Sequence, residues 1–143
     1  MPRPVIGAAT AIALAARRLL GARMRVMGRP VLALTTVGAT SGATRRTVLC
    51  WFPDGENRWL IVASFGGSAR HPAWYLNMAK NPDKVWIEID GRKLKVEAHS
   101  LKGAEREQAW RQIVSLAPGF AGYQQKTDRE IPVVRLQPAP QST

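Results

Sequence analysis

The spacing of apolar positions changes several times along the chain, and each change marks an element. Val31–Val37 (VLALTTV) is β-branched and apolar and predicts a strand. A glycine-bounded turn, Gly38 to Gly42, separates it from a partner strand over Thr44–Phe52, and turn residues Pro53 to Asn57 follow. Arg58–Phe65 (RWLIVASF) predicts a third strand, apolar enough to be central, which ends at Gly66-Gly67. Pro72 then stands where the first turn of a helix has no use for its missing N–H, so a helix is predicted over Ala73–Lys80, closed by Asn81-Pro82. Lys84–Ile89 and Arg92–Leu101 alternate apolar and polar positions around Asp90-Gly91, the signature of a type I′ hairpin. Trp110, Ile113, Val114 and Ala117 recur at helical spacing within Ala104–Leu116, with Glu105 and Glu107 near its positive end. Pro118 to Asp128 reads as a loop or short helix, and Ile131–Leu136 as a sixth strand before a loose tail from Pro138.

Six mostly antiparallel strands with flanking helices define an α+β domain, and a sheet of that size removes its edges by curling into a barrel. At 143 residues the chain is long enough for one core. The expected organisation is a basic amino-terminal helix over residues 1–28, a barrel domain over 29–138 and a tail over 139–143.

Charge changes this picture at one end. The net charge is +11, and residues 1–53 carry eight basic groups and no acid. The remainder has thirteen basic and ten acidic residues. An excess concentrated in one segment points to an anionic partner there. No recognition-helix, zinc-finger or RNA-binding signature accompanies it, so nucleic acid is not expected. Val5–Ala16 is an uncharged run of twelve residues, followed at once by Arg17-Arg18. It falls short of the ~20 apolar residues that span a bilayer. Three readings stay open: a helix lying on an anionic membrane surface, a helix packed on the domain, and an export signal. The expected location is cytoplasmic, with peripheral attachment to the inner face of the membrane under the first reading.

Acid–base machinery is sparse. Cys50 lies mid-strand with no partner near in sequence and reads as an inert core thiol. With His71 and His99 it offers no metal-ligand spacing, so no metal is expected. His71 reads as a helix-start structural residue, and Asp128 to Glu130 as a salt-bridged turn. A chain whose cofactor carries the chemistry needs no catalytic triad. Three segments suit such a cofactor. The turn Gly38, Thr40, Ser41 and Gly42, with Arg45 beyond it, can cradle phosphate through N–H groups and hydroxyls. The strand end Ala63-Ser64-Phe65-Gly66-Gly67 lets a flat ring approach backbone. Arg70 to Asn77 adds a cation, Trp74, Tyr75 and a helix amino terminus.

These motifs, with Tyr123-Gln124, Lys126 to Arg129 and Ile131 to Val133, occur in one order and closely resemble the deazaflavin-dependent nitroreductase family. The resemblance covers about Leu32 to Pro138 and leaves the first thirty residues outside. It implies a split β-barrel of the flavin-reductase type that binds coenzyme F420, in preference to FMN or FAD, and uses the reduced form as hydride donor. It places phosphate and tail contacts on Gly38, Thr40, Ser41, Gly42 and Arg45. Ring contacts fall on Val62, Ala63, Ser64, Phe65, Gly66 and Gly67, with Arg70 and Trp74 beside them. The acceptor side falls on Ser64, Cys50, Trp51, Phe120 and Tyr123, with Tyr123 and Ser64 as the candidate catalytic groups. The chain departs from the family where basic residues are common, at Ala39, Thr40 and Phe65. Arg45, Arg46 and Arg70 are the candidates to replace those cations.

The expected activity is hydride transfer to a lipophilic, electron-poor acceptor: a quinone, enone or nitro compound. The rivals are a non-catalytic barrel carrying flavin, haem or lipid, and a membrane-surface adaptor acting through residues 1–28. A homodimer is compatible with the fold by analogy alone.

Overall fold

The computed structural model describes residues 25–26, 28–64, 67 and 69–140. Its strands are β1 (Arg25–Val26), β2 (Arg29–Val37), β3 (Thr44–Cys50), β4 (Phe52–Pro53), β5 (Trp59–Val62), β6 (Trp86–Ile89), β7 (Arg92–Ser100) and β8 (Val133–Pro138). The helices are α1 (Ala73–Lys80), α2 (Gly103–Leu116) and α3 (Gly119–Gln125). Most of the segment expected as an amino-terminal helix lies outside the described residues. Its last part is not helical: Arg25 and Val26 pair with Pro30 and Arg29 through a turn at Gly28, whose φ is 74°.

All pairings are antiparallel, in the order β1-β2-β6-β7-β8-β5-β4 with β3 also on β2. The six expected strands therefore become eight. The partner strand expected over Thr44–Phe52 breaks at Trp51, and the break closes the sheet. Cys50 pairs with Val31 of β2, whereas Phe52 pairs with Leu60 of β5. One continuous stretch of chain thus joins the two ends of the strand order. β7 makes the opposite corner, pairing with β6 through Lys95 and with β8 from Val96 onward. The hairpin at Asp90-Gly91 has positive φ at both residues, 48° and 77°, as a type I′ turn requires. β8 runs to Pro138, opposite Val96, and the Ala139 N–H reaches the Lys95 carbonyl, so the chain stays attached beyond the expected start of a loose tail.

Two cores share the β5–β8 ribbon. Trp59 and Ile61 face the barrel interior with Leu32, Leu34, Trp74, Ile87 and Val96. Leu60 and Val62 face the opposite side, packed with Ile113 of α2, Phe120 of α3, Cys50 and Phe52. Period-two alternation along a strand buried on both faces produces this division. β5 is a wall between two apolar layers, and the chain leaves that wall at Ser64.

Candidate functional site

Where β5 ends, a cleft of about 410 Å³ opens between Thr47 and Leu49 of β3, Val62 and Ser64 of the strand end, and Pro72, Ala73 and Trp74 at the start of α1. Its size lies within the range of about 300–1,000 Å³ usual for small-molecule sites. The sequence prepares it by placing a helix start directly after a strand end. Pro72 takes the N-cap position with extended backbone and no side-chain cap. Trp74 is buried in the interior core and lines the cleft without filling it. Phe65 and Gly66, also expected at the ring, lie outside the described residues.

Arg129 holds the strand end. Its guanidinium donates to the carbonyls of Ala63 at 3.1 Å and Ser64 at 2.7 Å, and approaches His71 Nδ1 at 3.2 Å. Arginine has no acceptor, so Nδ1 must offer its lone pair and the imidazole proton sits on Nε2. Burial, and then the nearby Arg129 charge, push the His71 pKa below its ordinary value. Gly67 completes the corner with φ 82° and its N–H on the Ser64 carbonyl. A Cβ there would lie 2.8 Å from the Tyr123 carbonyl and 3.0 Å from Lys126 Cβ, so only glycine fits.

The Gly38–Gly42 turn is held by α1. Asn77 accepts the Ala39 N–H at 3.0 Å and donates to Thr36 Oγ1 at 3.2 Å, and Asn81 donates to the Val37 carbonyl at 3.3 Å. The N–H groups of Gly38, Gly42 and Ala43 are taken within the turn, the last by Ser41 Oγ at 3.2 Å. The exposed amides of Thr40 and Ser41 find no acceptor among the described residues. Arg45 shares its strand face with Thr47 and Leu49 of the cleft, and its Nη1 is buried with no hydrogen-bond partner. Arg46 points the other way. It pairs with Glu88 at 2.8 Å and lines a separate outer cleft with Trp86 and Lys93, so it does not replace a missing tail cation. Arg70 is exposed on the loop before α1.

Cys50, Phe120 and Tyr123 come together with Val62 in the second core, Phe120 meeting Tyr123 edge-to-face at 5.5 Å between ring centres. Trp51 does not join them; it packs against the interior core. Burial raises the Cys50 pKa, leaving a thiol poorly suited to nucleophilic work. Glu130 of the expected salt-bridged turn pairs with Arg106 of α2 at 3.5 Å, while Arg129 binds the strand-end carbonyls. Arg129, Asn77 and Asn81 stand within the motifs read from the sequence, but their hydrogen bonds to the strand end and the turn were not anticipated there. For the two asparagines a signal existed: polar side chains at i and i+4 on a helix that must pack against a sheet.

A curled antiparallel sheet with a ligand-sized cleft at a strand end, on the strand face that also carries Arg45, defines a split-barrel protein with a small-molecule site. Residues 11–138 match the family described as F420H(2)-dependent quinone reductase, and the chain belongs to that family. An F420H(2)-dependent quinone reductase of Mycobacterium tuberculosis is 40% identical over 111 residues, covering 75% of this chain and 72% of that protein. A solved F420-H2 dependent reductase is 39% identical with a TM-score of 0.67, covering 76% of this chain and 95% of that one. A structure described as a domain-swapped dimer is 34% identical with a TM-score of 0.68, covering 92% of this chain and all of that one. The expected deazaflavin cofactor and reductase class are thereby borne out, with quinone as the acceptor in the family's name. The expected limit of the resemblance is corrected: the match starts at residue 11, so much of the amino-terminal segment belongs to the family pattern.

The residues present fit coenzyme F420. The Thr40 and Ser41 amides and Arg45 Nη1 are donors without acceptors, as an anionic tail requires. The cleft walls at Val62, Ser64 and Pro72 to Trp74 offer a mainly apolar surface to a ring.

Proposed function

We propose that this cleft holds reduced coenzyme F420 with its ring against Val62, Ala63 and Ser64 and its tail along Thr40, Ser41 and Arg45, and that the acceptor is a quinone. Arg45, two residues along the same strand face from Thr47 of the cleft and with its Nη1 buried and unpartnered, carries the reading. A donor left without an acceptor costs stability, and an anionic ligand removes that cost.

When bound, the coenzyme supplies a hydride. The protein's part is position and electrostatics. Thr47, Leu49 and Trp74 exclude water from the ring's surroundings. Ser64 lines the cleft, and its hydroxyl is the candidate to donate a hydrogen bond to an acceptor oxygen as negative charge develops there. Tyr123, packed with Phe120 beside Val62, is the second candidate donor and delivers the proton that follows. Lipophilic enones and nitro compounds are acceptors of the same electronic kind. The basic segment 1–28 supports attachment to an anionic membrane, where quinones reside, checked by co-sedimentation with anionic vesicles. The domain-swapped relative supports a homodimer, checked by sedimentation equilibrium.

The test is titration of coenzyme F420 fluorescence with purified protein, followed by oxidation of the reduced form on adding a quinone. Saturable binding in the micromolar range and quinone-dependent turnover are expected. No binding at tens of micromolar overturns the assignment.

A further inference from the structure

We infer that Arg129 is a positioning residue that sets the width of the cleft by tying its floor to its wall. This inference rests on the coenzyme reading for its consequence, though not for its geometry.

The floor is the backbone at the end of β5. The wall is the start of α1, which His71 leads into. These segments are joined through Gly67, which packs against the end of α3. One guanidinium spans the gap, with Nη2 on the Ser64 carbonyl, and Nη1 between the Ala63 carbonyl and His71 Nδ1. Its planar fork suits this arrangement, because three acceptors lie along two of its edges. The bonds also orient Ser64. Its carbonyl is filled by Arg129 and the Gly67 N–H, and the residue lines the cleft.

Arg129 is itself held rigidly. Gln124 of α3 uses both ends of its amide on the Arg129 loop. Nε2 donates to the Arg129 carbonyl at 2.8 Å and the Thr127 carbonyl at 3.4 Å, and Oε1 accepts the Ile131 N–H at 3.0 Å. Arg106, only 4% exposed, donates to the Ile131 carbonyl at 2.6 Å and to Gln124 Oε1 at 3.4 Å. The loop is anchored to two helices, and Arg129 passes that rigidity to the cleft. Two charge-assisted bonds to carbonyls and one to an imidazole fasten the strand end to the start of α1.

The experiment has two independent readouts. The first is the His71 imidazole in coenzyme-free protein, followed by 15N NMR. The wild type is expected to show a proton on Nε2 and none on Nδ1; a protonated Nδ1 at neutral pH overturns the inference without any variant. In Arg129→Gln and Arg129→Lys, His71 is expected to titrate closer to its ordinary range. The second is coenzyme binding and turnover. Both variants are expected to weaken coenzyme binding about tenfold or more, while the KM for quinone moves much less. Added guanidinium is expected to restore binding to Arg129→Ala, with sodium at equal ionic strength as control. If Arg129→Lys folds, keeps the wild-type His71 titration and binds coenzyme as the wild type does, the inference is wrong. If the wild type fails to bind coenzyme, the functional reading falls, and the His71 readout alone decides on the clamp.

Discussion

Replacing Arg45 by Met separates the cost of an unpartnered cation from its use. The side chain sits half-buried on β3 with Nη1 sealed from solvent and no partner. An unsatisfied buried donor costs roughly 1–3 kcal/mol. Methionine keeps most of the length and apolar contact while removing the donor, and it also lowers a net charge of +11 that repels itself. Partial exposure discounts the gain to about 1 kcal/mol, which for a chain of this size raises the melting temperature by roughly 2–4 °C. Coenzyme binding should move the other way. One lost charge-assisted bond to a phosphate is worth roughly 1.5–3 kcal/mol, or about tenfold to 150-fold in Kd. Arg46→Met is the control: it lies on the opposite face, loses a partly exposed ion pair to Glu88 worth about 0–1 kcal/mol, and should leave Kd unchanged within about threefold. Differential scanning fluorimetry reads the stability and fluorescence titration the affinity. An Arg45→Met protein that binds the coenzyme as tightly as its parent refutes the reasoning, whatever its melting temperature.

Gly67→Ala should destabilise by roughly 1–3 kcal/mol in urea unfolding, because φ 82° and the Tyr123 carbonyl both oppose a Cβ; an unchanged midpoint would show the corner to be looser than drawn. Asn77→Leu leaves the Ala39 N–H without its acceptor and should cost about 1–3 kcal/mol together with several-fold weaker coenzyme binding; loss of stability with full affinity would mean that the turn does not touch the tail. His71 has a folded pKa below its ordinary value of about 6.5, so the unfolded chain binds the proton more readily. Its contribution to stability is therefore present above that value and lost as pH falls through the lowered one. Urea midpoints from pH 7.5 down to 5 should fall more steeply for the wild type than for His71→Gln, and parallel slopes would exclude the effect.

Local signals in the chain specified much of this architecture. The α1 boundaries follow from Pro72 before and Asn81-Pro82 after, and the Asp90-Gly91 hairpin from its turn chemistry, because each depends on neighbours within a few residues. The break at Trp51 was not legible. Thr44 to Phe52 contains no glycine or proline to mark a break, and what ends β3 is a change of partner from β2 to β5, a non-local event. β1 was hidden for the same reason: Arg25 and Val26 read as part of a basic helical run until β2 offers them an edge. Grouping Arg46 with Arg45 overlooked a rule the sequence does contain, since neighbours in a strand face opposite ways. The two sides of the site differ likewise. Turn and strand end are contiguous motifs and could be seen, whereas the Arg129 clamp joins residues 58 to 66 positions apart.

On the proposed placement of coenzyme and acceptor, the division of β5 between two cores would let such a site keep one coenzyme and change its acceptor. Ala63 belongs to the interior core with Trp74, and Val62 to the outer core with Cys50, Phe120 and Tyr123. A substitution at Trp74 or in the interior layer disturbs the barrel that carries the coenzyme's floor. One at Phe120 or Tyr123 alters a helix of seven residues on the other side of the wall. The two faces meet along the backbone of β5 and β8 and at the loop that holds Arg129. Packing changes at separated sites add nearly independently, so acceptor-side residues can vary in size and polarity at little cost to coenzyme affinity. The reverse does not hold for Ser64, the one residue whose carbonyl is fixed by Arg129 and which itself lines the cleft. On the proposed placement, changes there are expected to alter acceptor handling and ring placement together.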